Sequence, residues 1–170
     1  MTKPKIVGVI GPNANLCSEV LYQFAYQLGE ELAKANLMVV CGGKGGVMEA
    51  VCKGGKNVIS PFSIGILPSS DKEDANPYCD IVIPTGIGIA RNFIVVNTAD
   101  IVIALGGGAG TLSEMAFAWQ LGKNIIAYTQ EGGWAEKLAG EQIDNRRATP
   151  IFEAKSIEEI MNILQSNVFS

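Results

Sequence analysis

The chain has 170 residues, a length that fits one domain with a single sizeable core. Hydrophobic residues make up 48% and charged residues 18%, with a mean hydropathy of +0.23, which describes a globular chain and excludes a disordered one. Thirteen Lys plus Arg against seventeen Asp plus Glu leave a net charge of −4 with no clustered basic run, so a nucleic-acid surface is disfavoured.

Histidine is absent. That removes Ser-His-Asp and Cys-His nucleophiles, His-ligated zinc and an imidazole acid or base near neutral pH. The four cysteines, Cys17, Cys41, Cys52 and Cys79, lie far apart along the chain with no C-x-x-C, so no metal knuckle or dithiol motif is encoded, no metal site is expected, and a reducing cytoplasm is. The opening MTKPKIVGVIGPNAN is too short in apolar residues for a signal peptide, and no apolar run long enough to span a membrane follows. A soluble cytoplasmic protein without membrane partners is the expectation.

In chain order, Lys5 to Ile10 predicts a buried strand stopped by Gly11-Pro12-Asn13. Leu21, Phe24, Ala25, Leu28, Leu32 and Ala35 recur at helical spacing behind Ser18, a plausible N-cap. Leu37 to Cys41 predicts a second strand, Gly42 to Gly46 a glycine loop, Val47 to about Lys53 a short helix and Ser63 to Leu67 a third strand before the polar loop Pro68 to Pro77. Asp80 to Pro84, a helix over Arg91 to Thr98, and Asp100 to Leu105 repeat the rhythm. A second glycine cluster, Gly106 to Gly110, then opens a helix from about Thr111 to Leu121. Asn124 to Tyr128 reads as a strand, Glu131 to Trp134 as a loop, Trp134 to Leu138 as a helical turn and Pro150 to Phe152 as a short strand. A last helix carries Ile157, Ile160, Met161 and Leu164 on one face. Strands alternating with helices predict a single α/β domain, a doubly wound, mostly parallel, Rossmann-like sheet with helices on both faces.

In such sheets ligands collect outside the carboxyl ends of the strands, where Gly11 to Asn15, Gly42 to Gly46 and Gly106 to Gly110 fall. Glycine admits close backbone approach, and a following helix presents unpaired N–H groups, so a phosphate-bearing small molecule is the expected guest. Neither nucleotide motif is complete. Gly43-Lys44 and Gly122-Lys123 lack the Ser or Thr of a P-loop, while Gly43-x-Gly45 and Gly108-x-Gly110 run to Met48 and Ser113 instead of a third glycine.

The stretch Gly107-Gly108-Ala109-Gly110-Thr111-Leu112-Ser113-Glu114 resembles the Pro-Gly-Gly-x-Gly-Thr-x-x-Glu signature shared by Lonely Guy-type nucleotide phosphoribohydrolases and the related molybdenum cofactor carrier proteins. The resemblance extends over nearly the whole chain, with Gly42 to Met48 as a first glycine cluster and Gly88-Ile89-Ala90-Arg91-Asn92 in the place of the arginine motif. Gly106 stands where the hydrolases have Pro. Gly88, Ile89, Ala90 and Asn92 replace the residues around the arginine of their Met-His-x-Arg-Lys pattern, so the likeness is nearer to the carriers.

The resemblance implies a cytoplasmic homo-oligomer, dimer or tetramer, that binds molybdenum cofactor (molybdopterin) through its phosphate end. The binding candidates are Gly11, Asn13, Gly42, Gly43, Gly45, Gly46, Arg91, Asn92, Gly107, Gly108, Ala109, Gly110, Thr111 and Glu114. The alternative is a hydrolase of nucleoside 5′-monophosphates, in which Arg91 anchors the phosphate and Glu114 stabilises charge on the ribose or positions water. DNA-processing proteins with related glycine loops form a third class, disfavoured by the acidic balance. Thr111-x-x-Glu114 also reads as a capping box like Ser156-x-x-Glu159. Cys41 and Cys52 read as small core residues and Trp119 as a core or interface residue. The helix Leu112 to Leu121 is apolar almost all round, which fits an oligomer.

Overall fold

The computed structural model describes residues 5–58 and 62–168. Its strands are β1 (Ile6–Ile10), β2 (Met38–Cys41), β3 (Ser63–Leu67), β4 (Ile81–Pro84), β5 (Ile101–Leu105), β6 (Ile125–Tyr128) and β7 (Phe152–Ala154). The helices are α1 (Glu19–Lys34), α2 (Val47–Gly55), α3 (Arg91–Thr98), α4 (Ala109–Gln120), α5 (Gly133–Leu138) and α6 (Ile157–Val168), with short 3-10 turns at Ala14–Leu16, Lys72–Asp74 and Gly88–Ala90. The sheet order is β4-β3-β2-β1-β5-β6-β7 and each neighbouring pair is parallel, so the expected mostly parallel sheet is parallel throughout. Strand order reverses between β1 and β5, where Gly8 pairs with Val102 and Ile10 with Ala104.

β1, β3, β5 and β6 are continuous apolar runs because both sheet faces are covered. On one face α1, α2 and α6 bury Leu28, Leu32, Val51, Ile160 and Leu164 against the sheet; on the other α3, α4 and α5 bury Val95, Met115, Trp119 and Ala135. Trp119 belongs to this core. Its Nε1 donates to Asp144 at 2.8 Å, and the Arg147 guanidinium lies 4.6 Å over its ring. α1 and α2 touch backbone to backbone, since a Cβ on Gly29 would strike the Val51 carbonyl and one on Gly54 the Tyr26 carbonyl.

Ser18 caps α1, accepting from the Leu21 N–H at 3.0 Å. The Ser156 box also forms: Ser156 Oγ accepts from the Glu159 N–H at 3.1 Å, while Glu159 reaches back to the Lys155 N–H at 2.7 Å. The Thr111 box does not. α4 starts at Ala109 with Gly108 as N-cap, which places Thr111 third and Glu114 sixth in the helix, too deep to cap it. Two boundaries also shift. The last strand is Phe152–Ala154 and not Pro150 to Phe152, and α5 begins inside the expected loop, at Gly133.

Candidate functional site

The site lies outside the carboxyl ends of β1 and β5, at the reversal of strand order. β1 runs into Gly11, whose missing Cβ matters: one built there would stand 2.8 Å from the Leu105 carbonyl and 2.9 Å from Val47. Asn13 then caps the following turn, its side-chain oxygen accepting from the Ala14 N–H at 2.9 Å. β5 runs into Gly106 and Gly107 with φ of +56° and +90°. Proline, fixed near φ −65°, cannot take the Gly106 conformation, so the departure from the hydrolase signature is built into the backbone here. The Gly106 and Gly107 carbonyls accept from the Ala135 and Trp134 N–H groups, both at 3.0 Å, so the start of α5 braces the loop from behind. The first bond at the head of α4 runs from the Leu112 N–H to the Gly108 carbonyl, and no side chain caps the helix. The N–H groups of its first turn have no intrahelical acceptor. They carry the positive end of the helix dipole.

Arg91 opens α3 and reaches both the Gly42 carbonyl after β2 and Glu114 on α4. It is 9% exposed and Glu114 6%, and the two side chains meet at 3.6 Å, an ion pair without a tight hydrogen bond. One guanidinium nitrogen donates to Asn92 Oδ1 at 2.7 Å and another to the Gly42 carbonyl at 3.2 Å, while the buried Nε has no partner. Asn92 Nδ2 donates to Ser113 Oγ at 3.0 Å and ties α3 to α4. Burial pushes the Glu114 carboxyl up to about 7 against the opposing pull of Arg91. Burial likewise disfavours the charged guanidinium, and Glu114 counters it. The pair is therefore poised: a cation fixed in a largely apolar wall, beside a carboxyl close to half-protonated at neutral pH.

These groups line a cleft of about 280 Å³. Of the residues singled out from sequence, Gly11, Asn13, Gly42, Arg91, Asn92, Gly108, Ala109, Gly110, Thr111 and Glu114 line it; Gly43, Gly45, Gly46 and Gly107 do not. Gly43 packs on β3, where a Cβ would stand 2.8 Å from Leu67 Cδ2. Gly46, the N-cap of α2, packs against the Pro12 carbonyl, Gly45 against Ala14, and Gly107 leaves room for the Thr111 side chain. The first glycine cluster thus serves the cleft mainly through Gly42, whose carbonyl holds Arg91. Val9, Ile10, Pro12, Leu16, Met48 and Ile89 also line the cleft but were not among the residues singled out, since apolar side chains announce no ligand chemistry even where, as with Met48 and Ile89, they fall inside the motif stretches. Beside the cleft a second hollow of about 510 Å³, lined by Ile89, Ala90, Ser113 and Phe117 among others, gives an apolar shelf.

An all-parallel doubly wound sheet with an uncapped glycine-led helix at its switch point defines a Rossmann-like fold with a cleft at its strand ends. The chain belongs to the SLOG cluster4 family, whose family model matches residues 4–161. It is 44% identical over 121 residues to an uncharacterized protein of Archaeoglobus fulgidus, covering 71% of this chain and 78% of that one. Its structure is similar to the molybdenum cofactor binding protein of the phototrophic bacterium Rippkaea orientalis, at 33% identity and a TM-score of 0.86 over the full length of both chains. The molybdenum cofactor carrier protein of Chlamydomonas reinhardtii gives 28% identity and a TM-score of 0.84, covering 99% of this chain and 100% of that one.

Proposed function

We propose that this protein carries molybdenum cofactor, gripping it by the phosphate and shielding it as cargo. The observation that carries the reading is the convergence of two anion-seeking devices in one cleft: the unpaired N–H groups at the head of α4, and the largely buried cation of Arg91. The N–H groups of Ala109, Gly110 and Thr111 would hold the phosphate, with Arg91 neutralising it and Asn92 fixing the guanidinium. Glu114 takes up a proton when a phosphate arrives, since its carboxyl already stands near 7 and a second negative charge raises it further. The names of the similar proteins from Rippkaea and Chlamydomonas support this choice of cargo.

A homo-oligomer completes the proposal. Ile87, Ile89, Phe93 and Leu121 are exposed to 50%, 87%, 42% and 39%, beside the apolar shelf, and a second copy docked there would cover them. Among the described residues no helix is long and apolar enough to cross a membrane.

The test is metal analysis and mass spectrometry of protein purified without air. A co-purifying pterin with stoichiometric molybdenum is the expected result. Conversion of AMP to free base and ribose 5-phosphate at about one turnover per second or faster would replace the carrier with the hydrolase.

A further inference from the structure

Three of the four cysteines, remote in sequence, meet in space. Cys41 ends β2, Cys52 lies on α2, and Cys79 sits just before β4. The Cys41 and Cys52 sulfurs are 3.7 Å apart and those of Cys52 and Cys79 3.9 Å, and all three lie within 4.8 Å of one another.

The fold is shaped to permit this. Gly65, the β3 residue paired with Cys41, has no side chain, and a Cβ there would stand 2.6 Å from Cys79 Sγ. The cysteine-bearing segment is pinned onto the Gly42–Gly46 loop by Asn76, whose N–H donates to the Gly43 carbonyl at 2.8 Å and whose Nδ2 donates to the Lys44 carbonyl at 3.0 Å. The Gly43 N–H donates to Cys41 Sγ at 3.4 Å, the kind of outer contact that supports a thiolate ligand.

We propose that Cys41, Cys52 and Cys79 form a three-thiolate site for a thiophilic d10 cation, Cu(I) above all. Sulfurs bound at about 2.3 Å to one ion stand about 3.8–4.0 Å apart, the spacing already present in the two shorter contacts. Among the described residues no fourth Cys, Asp or Glu joins the group, and the chain has no His; a trigonal all-sulfur set of this kind favours soft Cu(I) over tetrahedral Zn(II) and excludes Mg²⁺ and Ca²⁺. Cys41 and Cys52 are buried, and the partly exposed Cys79 provides the way in. On binding, each thiol that becomes a ligand exchanges its S–H bond for a Cu–S bond and gives its proton to solvent, and copper stays in the +1 state. The site is separate from the phosphate cleft, although Cys41 adjoins Gly42, the carbonyl that holds Arg91.

Reduced protein under argon, titrated with Cu(I) against a chromophoric chelator, should bind one ion per chain. X-ray absorption should then show a shell of sulfur only. Cys79→Ser should weaken binding at least about 100-fold, while Cys17→Ser, at a cysteine outside the group, leaves it unchanged. A thermal melt and the phosphate affinity of Cys79→Ser, both expected to match the parent, show that fold and cleft persist. Binding well below one ion per chain, a nitrogen or oxygen shell, unchanged affinity in Cys79→Ser, or a Cys52–Cys79 disulfide forming in place of a metal complex would each overturn the assignment.

Discussion

Glu114→Gln turns the geometry of the cleft into a measurable pH dependence. The native carboxyl is pushed up to about 7 from an ordinary 4.5, burial being the larger cause and Arg91 the smaller, opposing one. The native state then holds this proton more tightly than the unfolded chain. The resulting stability is fully present below about pH 4.5 and is lost as pH rises through about 7. At 1.36 kcal/mol per pKa unit the loss approaches about 3 kcal/mol by pH 8. Glutamine is close in shape to the protonated acid and titrates nowhere, so parent and variant should be nearly equally stable at about pH 4. The variant should be more stable by about 3 kcal/mol at pH 8. Urea unfolding in phosphate-free buffers at intervals between these values reads the divergence directly. Glu159→Gln is the control: in a surface capping box it should follow the parent curve within a few tenths of a kcal/mol. Parallel curves for Glu114→Gln and the parent would refute the placement of a desolvated carboxyl beside Arg91. The same variant should bind inorganic phosphate more tightly than the parent at pH 8 and lose the parent's rise in affinity at lower pH.

Gly42→Ala places a Cβ 2.6 Å from Arg91 Cζ, so the guanidinium must leave its seat; calorimetry should show phosphate affinity reduced at least about tenfold, with about 1–3 kcal/mol of stability lost. Gly54→Ala drives a methyl into the Tyr26 carbonyl and should cost about 3 kcal/mol in urea unfolding, whereas Gly55→Ala, whose nearest neighbour is the Gly29 carbonyl at 3.9 Å, should be neutral or stabilising by about 0.5 kcal/mol. Phe93→Asp, at a residue in edge contact with Phe117 at a centroid distance of 5.5 Å, should convert the proposed homo-oligomer to a monomer in light scattering; an 18.0 kDa parent at micromolar concentration would refute the docking face.

The elements were legible because a parallel sheet covered on both faces turns its inner strands into apolar runs, as in Ile101–Leu105, and because glycine marks the turns between them. Strand order was not, since nothing local in Val7 to Ile10 tells that β1 lies between β2 and β5. Within the site, Arg91, Asn92 and the Gly108 to Thr111 turn could be placed from motif and position. The two roles of Glu114 could not be separated, because a capping role depended on whether α4 started at Ala109 or near Thr111, which decides whether Glu114 lies within capping reach of the N-terminus. The glycines looked alike in sequence yet divide by what their missing Cβ spares: Gly42 an arginine, Gly43 a leucine, Gly46 a neighbouring backbone. Cysteine spacing did not disclose that Cys41, Cys52 and Cys79 converge from β2, α2 and the segment before β4, a proximity that linear motifs do not record.

The brace that α5 supplies to the Gly106-Gly107 turn bears on time as well as on shape. With Trp134 and Ala135 holding both carbonyls, and Gly133 so near that a Cβ there would stand 2.5 Å from the Gly106 carbonyl carbon, the receiving surface exists before any guest comes. A guest binding there would meet no ordering penalty in that turn, and its capture should proceed in one kinetic step whose rate grows linearly with concentration. Residence is governed by escape alone. For the carrier proposed above, release would then be simple dissociation, with no opening step before it.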